Sequence, residues 1–109
     1  MMNIIFKDIP NGFFKARVSE IKQKYGTYGE YLCFIFTIID EGELANYKFS
    51  GSVKPTPLRQ SKFYRWVTNI LGQLPEDTIS TDSLIGKECR VYISKQNKYY
   101  SVSDVSMKD

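Results

Sequence analysis

Between Tyr31 and Ile39 the even positions Leu32, Phe34, Phe36 and Ile38 are all large and apolar, whereas the odd positions include Tyr31, Cys33 and Thr37. A period of two built from β-branched and aromatic residues predicts a strand with one buried face, and the run is too short to cross a bilayer as a helix. Burial stabilises each such side chain by roughly 1.5–3 kcal/mol, and a slip of one residue would expose the whole set, so the register is firmly specified. The even face is predicted to be core and the odd face to be contact surface.

The same period recurs on either side. From Gly12 to Lys24, Phe14, Ala16 and Val18 alternate with Lys15, Arg17 and Ser19, but the next apolar residue, Ile21, falls on the opposite parity. That switch predicts a bulge near Ser19-Glu20 which bends a long first strand. After the acidic turn Asp40-Glu41-Gly42-Glu43, the stretch from Asn46 to Val53 places Tyr47, Phe49 and Val53 on one face and Lys48, Ser50 and Ser52 on the other, as the second arm of a hairpin. Thr56 as N-cap and Pro57 at the first helical position predict a helix running to Leu71, with Gly72 as its stop. Phe63, Trp66, Val67, Ile70 and Leu71 form its apolar stripe. Thr81 to Ile85 reads as one further helical turn. Lys87 to Lys95 alternates Cys89, Val91 and Ile93 against Arg90 and Tyr92, Gln96-Asn97 turns the chain, and Lys98 to Val105 returns with Tyr100 and Val102 inward. The lead-in from Ile4 to Pro10 predicts an edge strand or an ordered arm.

Three meandering strands, one helix and a final hairpin, with a bent first strand, give an all-β (mainly β) chain. Its element order is that of an OB-fold, the five-stranded, partly open barrel with one α-helix between strands 3 and 4. An α+β roll, or a small sandwich with an appended helix, would give nearly the same string. At 109 residues a single domain over 1–109 is expected.

Composition narrows the chemistry. The chain has no histidine, which excludes Ser-His-Asp and Cys-His nucleophile pairs and histidine-bound zinc. Asp40, Glu41 and Glu43 have the oxygen ligands a divalent cation needs, but a turn of this kind is more often simply solvated. Tyr25-Gly26-Thr27-Tyr28-Gly29 lacks the lysine, spacing and following helix of a phosphate cradle. No enzyme, catalytic residue, metal or cofactor is therefore expected. Cys33 and Cys89 lack metal-like spacing and read as buried free thiols in a reducing compartment. The first residues lack the arrangement of a secretion signal, and no segment reaches membrane length, so a soluble cytoplasmic protein with no membrane partner is expected.

The net charge of +3 permits a polyanionic partner, and its distribution favours one. Lys15, Arg17, Lys22 and Lys24 follow one strand. Lys48 and Lys54 mark the polar side of another, Arg59, Lys62 and Arg65 the helix, and Arg90, Lys95 and Lys98 the last hairpin. The acids collect at 40–43 and 76–82. Lysines that track phosphates, interleaved with aromatic faces that stack on unpaired bases, are what single strands require. The phosphate candidates are Lys22, Lys24, Lys48, Arg90, Lys95 and Lys98, and the stacking candidates are Tyr25, Tyr28, Tyr31, Tyr92 and Tyr99. Outward lysines also serve solubility, and Tyr31 has a competing role packing across the sheet. Tyr47, Tyr100 and Trp66 are assigned to the core. Tyr25 and Tyr28, flanked by Gly26 and Gly29 in a loop with no core to join, are the hardest to explain without a ligand.

The succession Gly12-Phe13-Phe14-Lys15-Ala16-Arg17-Val18, then Tyr28-Gly29-Glu30-Tyr31-Leu32, Phe34-x-Phe36-Thr37-Ile38 and Leu84-Ile85-Gly86-Lys87, resembles small single-stranded DNA-binding proteins of bacteriophages and mobile elements. The resemblance implies an OB-fold that coats single-stranded DNA during replication or recombination in a bacterial or infected host cell, often as a homo-oligomer. Many such proteins end in a long acidic tail; here the last residues are Ser106-Met107-Lys108-Asp109, so recruitment through a tail is not expected. RNA and oligosaccharide stay open as ligands, and a protein-interaction or assembly module of a phage or replisome is the alternative from another class.

Overall fold

The computed structural model describes residues 2–4, 6 and 8–108. Its elements are β1 (Gly12–Gly26), β2 (Gly29–Ile38), β3 (Lys48–Val53), α1 (Lys62–Leu71), a 3-10 turn at Thr81–Leu84, β4 (Glu88–Gln96) and β5 (Tyr99–Ser106). The strands form one antiparallel sheet in the order β3-β2-β1-β4-β5. The chain is thus mainly β, with the five strands and the helix between β3 and β4 that the periodicity predicts. The predicted lead-in is not a strand in its described part, and positions 5 and 7 lie outside the described residues.

β2 sets the architecture because it is flanked on both sides and its even residues from Leu32 to Ile38 are all buried. β1 pairs with it from Ala16↔Ile38 to Gly26↔Gly29, and the register breaks between Val18 and Glu20. The bulge falls where the parity switch places it. The extra residue restores the inward side for Ile21, which lies opposite Phe34. The first half of β1 also pairs with β4, from Gly12↔Ile93 to Arg17↔Glu88, so β1 loses this second neighbour just before it bends.

The two edge strands, β3 and β5, come together by packing, without a ladder between them, so the sheet is strongly curled but not closed. Gly51 permits the approach: a Cβ there would lie 2.7 Å from the Val102 carbonyl oxygen and 2.8 Å from Cη2 of Trp66. Trp66 fills the interior, edge-on to Phe34 and Phe36 with ring centroids 5.5 and 6.1 Å away. Val67 and Ile70 complete the buried stripe of α1, and Asn69 ties the helix to β5 by donating to the Val105 carbonyl at 2.9 Å.

The sequence-based expectations need correction in three places. The helix starts at Lys62, not at Pro57. Leu58 to Ser61 close a turn of their own, and Ser61 is the N-cap: its Oγ accepts from the Tyr64 N–H and donates to the Thr56 carbonyl, both at 3.0 Å. The predicted stop holds, since Gly72 adopts φ 76° and its N–H reaches the Thr68 carbonyl. Tyr47 is 57% exposed and not core, because Asn46 takes a left-handed φ of 69° and β3 begins only at Lys48. On the odd face of β2, Cys33 and Thr37 are buried and not open contact surface: both are short side chains on a strand flanked by two others. Thr37 is satisfied there by a hydrogen bond with the Ser19 hydroxyl.

The radius of gyration is 14.9 Å, against roughly 13 Å for a compact chain of this length. Part of the excess comes from the β1–β2 hairpin, whose outer end has no third strand. β4 leaves β1 at Arg17, and β3 leaves β2 at Leu32.

Candidate functional site

The face of the sheet turned away from the core is ordered by the register. Arg17, Thr37 and Lys48 lie side by side across β1, β2 and β3; Glu20, Ile35 and Ser50 form the next row, and Lys22, Cys33 and Ser52 the row after that. Lys24 is opposite Tyr31, and Lys54 follows Val53, the partner of Leu32, which sets it beside Tyr31 on the other side. Neighbouring strands are about 4.8 Å apart. The result is a shallow trough with the uncharged Cys33, Ile35 and Thr37 of β2 on the floor, Arg17, Lys22 and Lys24 along one wall, and Lys48 and Lys54 at the two ends of the other. Glu20 is the acid within these rows, 3.9 Å from Lys22. An exposed pair of this kind contributes about 0–1 kcal/mol, so Lys22 exchanges it for another anion at little cost.

The trough ends at the free part of the hairpin, where Thr27 and Tyr28 make a two-residue turn and Gly29 takes a φ of 104°. Tyr31 leans over Gly26, and its Cε1 would be 3.2 Å from a Cβ at that position. The absence of a side chain at 26 is what seats the ring. Tyr31, Tyr28, Thr27, Glu30 and Lys54 line a concavity of about 410 Å³ at this end, and the Glu30 carboxylate is engaged by Gln23. Tyr28 is 90% exposed at the tip.

Strand alternation separates the tyrosines that the sequence groups together. The predicted loop around Tyr25 is strand up to Gly26, so Tyr25 lies opposite Glu30 on the reverse face from Lys24 and Tyr31. Its hydroxyl accepts from Gln23 Nε2 at 3.2 Å, and Gln23 also bonds Glu30. The β4–β5 turn at Asn97-Lys98 lies beyond the Gly12 end of β1, opposite to the Thr27-Tyr28 end. Lys98 and Tyr99 are exposed there, away from the Tyr31 concavity. Lys95 is engaged locally, its Nζ 5.7 Å from the Tyr100 ring centroid and 3.9 Å from Asp8.

Arg90 and Tyr92 share the outer face with Lys22, Lys24, Tyr31 and Lys48, but farther along β1. Tyr92 is half-buried and meets Phe13 edge-on at 5.1 Å, while the Arg90 guanidinium lies 5.5 Å from the Phe13 ring centroid and donates to the Met107 carbonyl at 3.2 Å. Sequence reasoning passed over Phe13 as a site residue and left Arg17 and Lys54 out of the phosphate set. The signal was present: Phe13 shares the outward parity of Lys15 and Arg17, where an aromatic residue has no core to join.

The chain matches no protein-family model and no curated protein. Its chemistry has to be read from its own surface. Among the described residues no group of three or more cysteine and carboxylate side chains is placed to hold a metal, and no helix is long and apolar enough to cross a membrane. The Cys89 thiol is pushed up to about 12 by burial, so it stays protonated at neutral pH and is a poor nucleophile.

Proposed function

We propose that this chain binds single-stranded nucleic acid without strong sequence preference, with single-stranded DNA in replication or recombination as its ligand. The observation that carries the proposal is Tyr31, seated over Gly26 and flanked by Lys24 of β1 on one side and Lys54, the residue after β3, on the other. A base stacked on such a ring gains about 1–3 kcal/mol whatever its identity, and a cation about 5 Å to either side is within reach of the flanking phosphates. The neutral floor of Cys33, Ile35 and Thr37 offers no charged group to a base edge, which fits sequence tolerance. A duplex hides the base faces that Tyr31 would engage.

The strand order, the bent β1, the helix between β3 and β4 and the unladdered approach of β3 to β5 support assigning the sheet to the partly open barrel of an OB-fold. The test is a fluorescence anisotropy titration with an unstructured oligonucleotide at two salt concentrations. Affinity is expected to fall steeply with salt, the logarithmic slope growing by about 0.7 for each phosphate contact. Absence of binding, or binding indifferent to salt, overturns the proposal. A second reading, an assembly module, draws on the exposure of Met2, Ile4 and Phe6, alternate apolar residues of one short segment. It predicts a defined oligomer by light scattering and an oligonucleotide affinity unchanged by Tyr31→Ala.

A further inference from the structure

Phe13 is large, apolar and 48% exposed on the outer face of the sheet. It is also held: Tyr92 meets it edge-on from β4, and Arg90 lies against it while bonded to the Met107 carbonyl. An exposed aromatic ring fixed by its neighbours and accompanied by a guanidinium is the arrangement on which an unpaired base stacks, with the cation adding to the attraction. Asp104, the acid opposite Tyr92, is neutralised by Arg65 at 3.0 Å, so the platform carries no unbalanced carboxylate from that strand.

Between Phe13 and the Tyr31 end, the outward side chains of β1 are Lys15, Arg17, Lys22 and Lys24, interrupted by the Ser19-Glu20 bulge. The bulge does not turn them away. Arg17, Glu20, Lys22 and Lys24 all pair with odd-numbered residues of β2, so one face continues through the bend. Glu88 opposite Arg17, Glu20 at the bulge and Asp40, whose carboxylate accepts from the Lys15 N–H at 2.7 Å, moderate the charge without reversing it. Phe13 and Lys24 are about 35 Å apart along the strand at ~3.3 Å per residue, a span suited to the roughly 4–16 nucleotides that one such domain occupies.

We propose that Phe13, backed by Tyr92 and Arg90, is a second base-stacking site, and that one nucleic-acid strand runs lengthwise along β1 from Tyr31 to Phe13. This rests on the single-strand-binding reading above but fixes a path and a residue that reading does not contain. The test compares labelled thymidine tracts of about 3 and about 12 nucleotides, the short one able to occupy one platform and the long one both. Phe13→Ala is expected to weaken the long tract about five- to hundredfold and the short tract no more than about twofold, and Phe13→Trp to restore the long-tract affinity. A melting curve of each variant shows that the fold is intact, and Phe13→Trp keeps the question open to measurement should the alanine variant unfold. Equal effects of Phe13→Ala on both tracts, no effect on either, or no recovery with Phe13→Trp overturns the lengthwise path while leaving single-strand binding standing. Failure of the unaltered protein to bind either tract overturns the underlying reading instead.

Discussion

Replacing Gly51 with alanine puts a methyl group at the point where β3 meets β5 and α1. The new carbon would lie 2.7 Å from the Val102 carbonyl oxygen, 2.8 Å from Trp66 Cη2 and 3.0 Å from Val102 Cβ. Carbon atoms in contact prefer about 3.5–4.0 Å, so the carbon contacts are short by roughly half an ångström or more. None of the three neighbours moves alone: one is a backbone oxygen of β5, and Trp66 is fully buried against Phe34 and Phe36. Overpacking of this kind costs about 1–3 kcal/mol. Alanine also narrows the unfolded ensemble, which returns about 0.4–1 kcal/mol. The net expectation, from the middle of the two ranges, is a loss of about 1.3 kcal/mol, with the melting temperature lower by roughly 4–8 °C per kcal/mol. Urea unfolding followed through Trp66, the chain's only tryptophan, reads the change beside the substitution. The midpoint should fall while the slope stays constant. Gly12→Ala is the control, since nothing lies within 4 Å of a Cβ there, and it should leave stability unchanged or raise it. A Gly51→Ala protein as stable as the parent would refute the close approach of β3 to β5, and with it the main support for an open barrel.

Ser61→Ala removes the cap of α1 and should cost about 0.5–2 kcal/mol in the same urea assay, whereas Thr56→Ala leaves that cap in place and should cost less. The reverse order would mean that the helix starts where the Thr56-Pro57 signature places it. Cys89 stays protonated in the folded protein up to about 12, while an exposed thiol ionises near its ordinary 9.0. Its contribution to stability is therefore complete below pH 9 and is lost as pH rises from there towards 12, because only the unfolded chain gives up the proton in that window. Cys89→Ala should flatten that decline in pH-dependent melting experiments, and an unchanged decline would argue against a buried thiol. Lys24→Gln and Lys54→Gln should each lower the salt slope of oligonucleotide binding by about 0.7, and a parallel loss of affinity at all salt concentrations would deny them phosphate contacts.

Elements whose pattern has a single physical solution were legible in the sequence. The even residues of β2 have one way to be buried, and the parity switch between Val18 and Ile21 has one local remedy, a bulge, which the register shows. Gly72 likewise ends the helix through a backbone conformation that glycine adopts without cost. The helix start was not legible because Thr56-Pro57 and Ser61 offer competing caps a few residues apart, and the turn at Leu58–Ser61 decides between them. Tyr47 was misplaced because one left-handed residue, Asn46, resets the alternation. The candidate site was half legible. Composition identifies the tyrosines and lysines, but their faces depend on whether Tyr25 belongs to a loop or a strand. Since pairing continues to Gly26↔Gly29, Tyr25 and Tyr31 are on opposite sides.

The same register that buries Leu32, Phe34, Phe36 and Ile38 sets which residues meet on the reverse of β2. Slipping β2 by one residue would turn Tyr31 inward and separate it from Lys24 and Lys54, so the spacing of the outer face is enforced by core burial and not by contacts among the surface residues themselves. That enforcement weakens towards the tip. Beyond Leu32 the hairpin has only two strands, and a two-stranded ribbon is marginal on its own. Gly26 and Gly29 add backbone freedom at the place where Tyr31 is seated. The Tyr31 end of the trough is therefore the part able to adjust to the backbone of a bound strand. Phe13, paired with Tyr92 of β4 and braced by its ring and by Arg90, is the better-fixed end. A ligand held at both would be fixed at Phe13 and accommodated at Tyr31, so its exchange should begin at the hairpin tip.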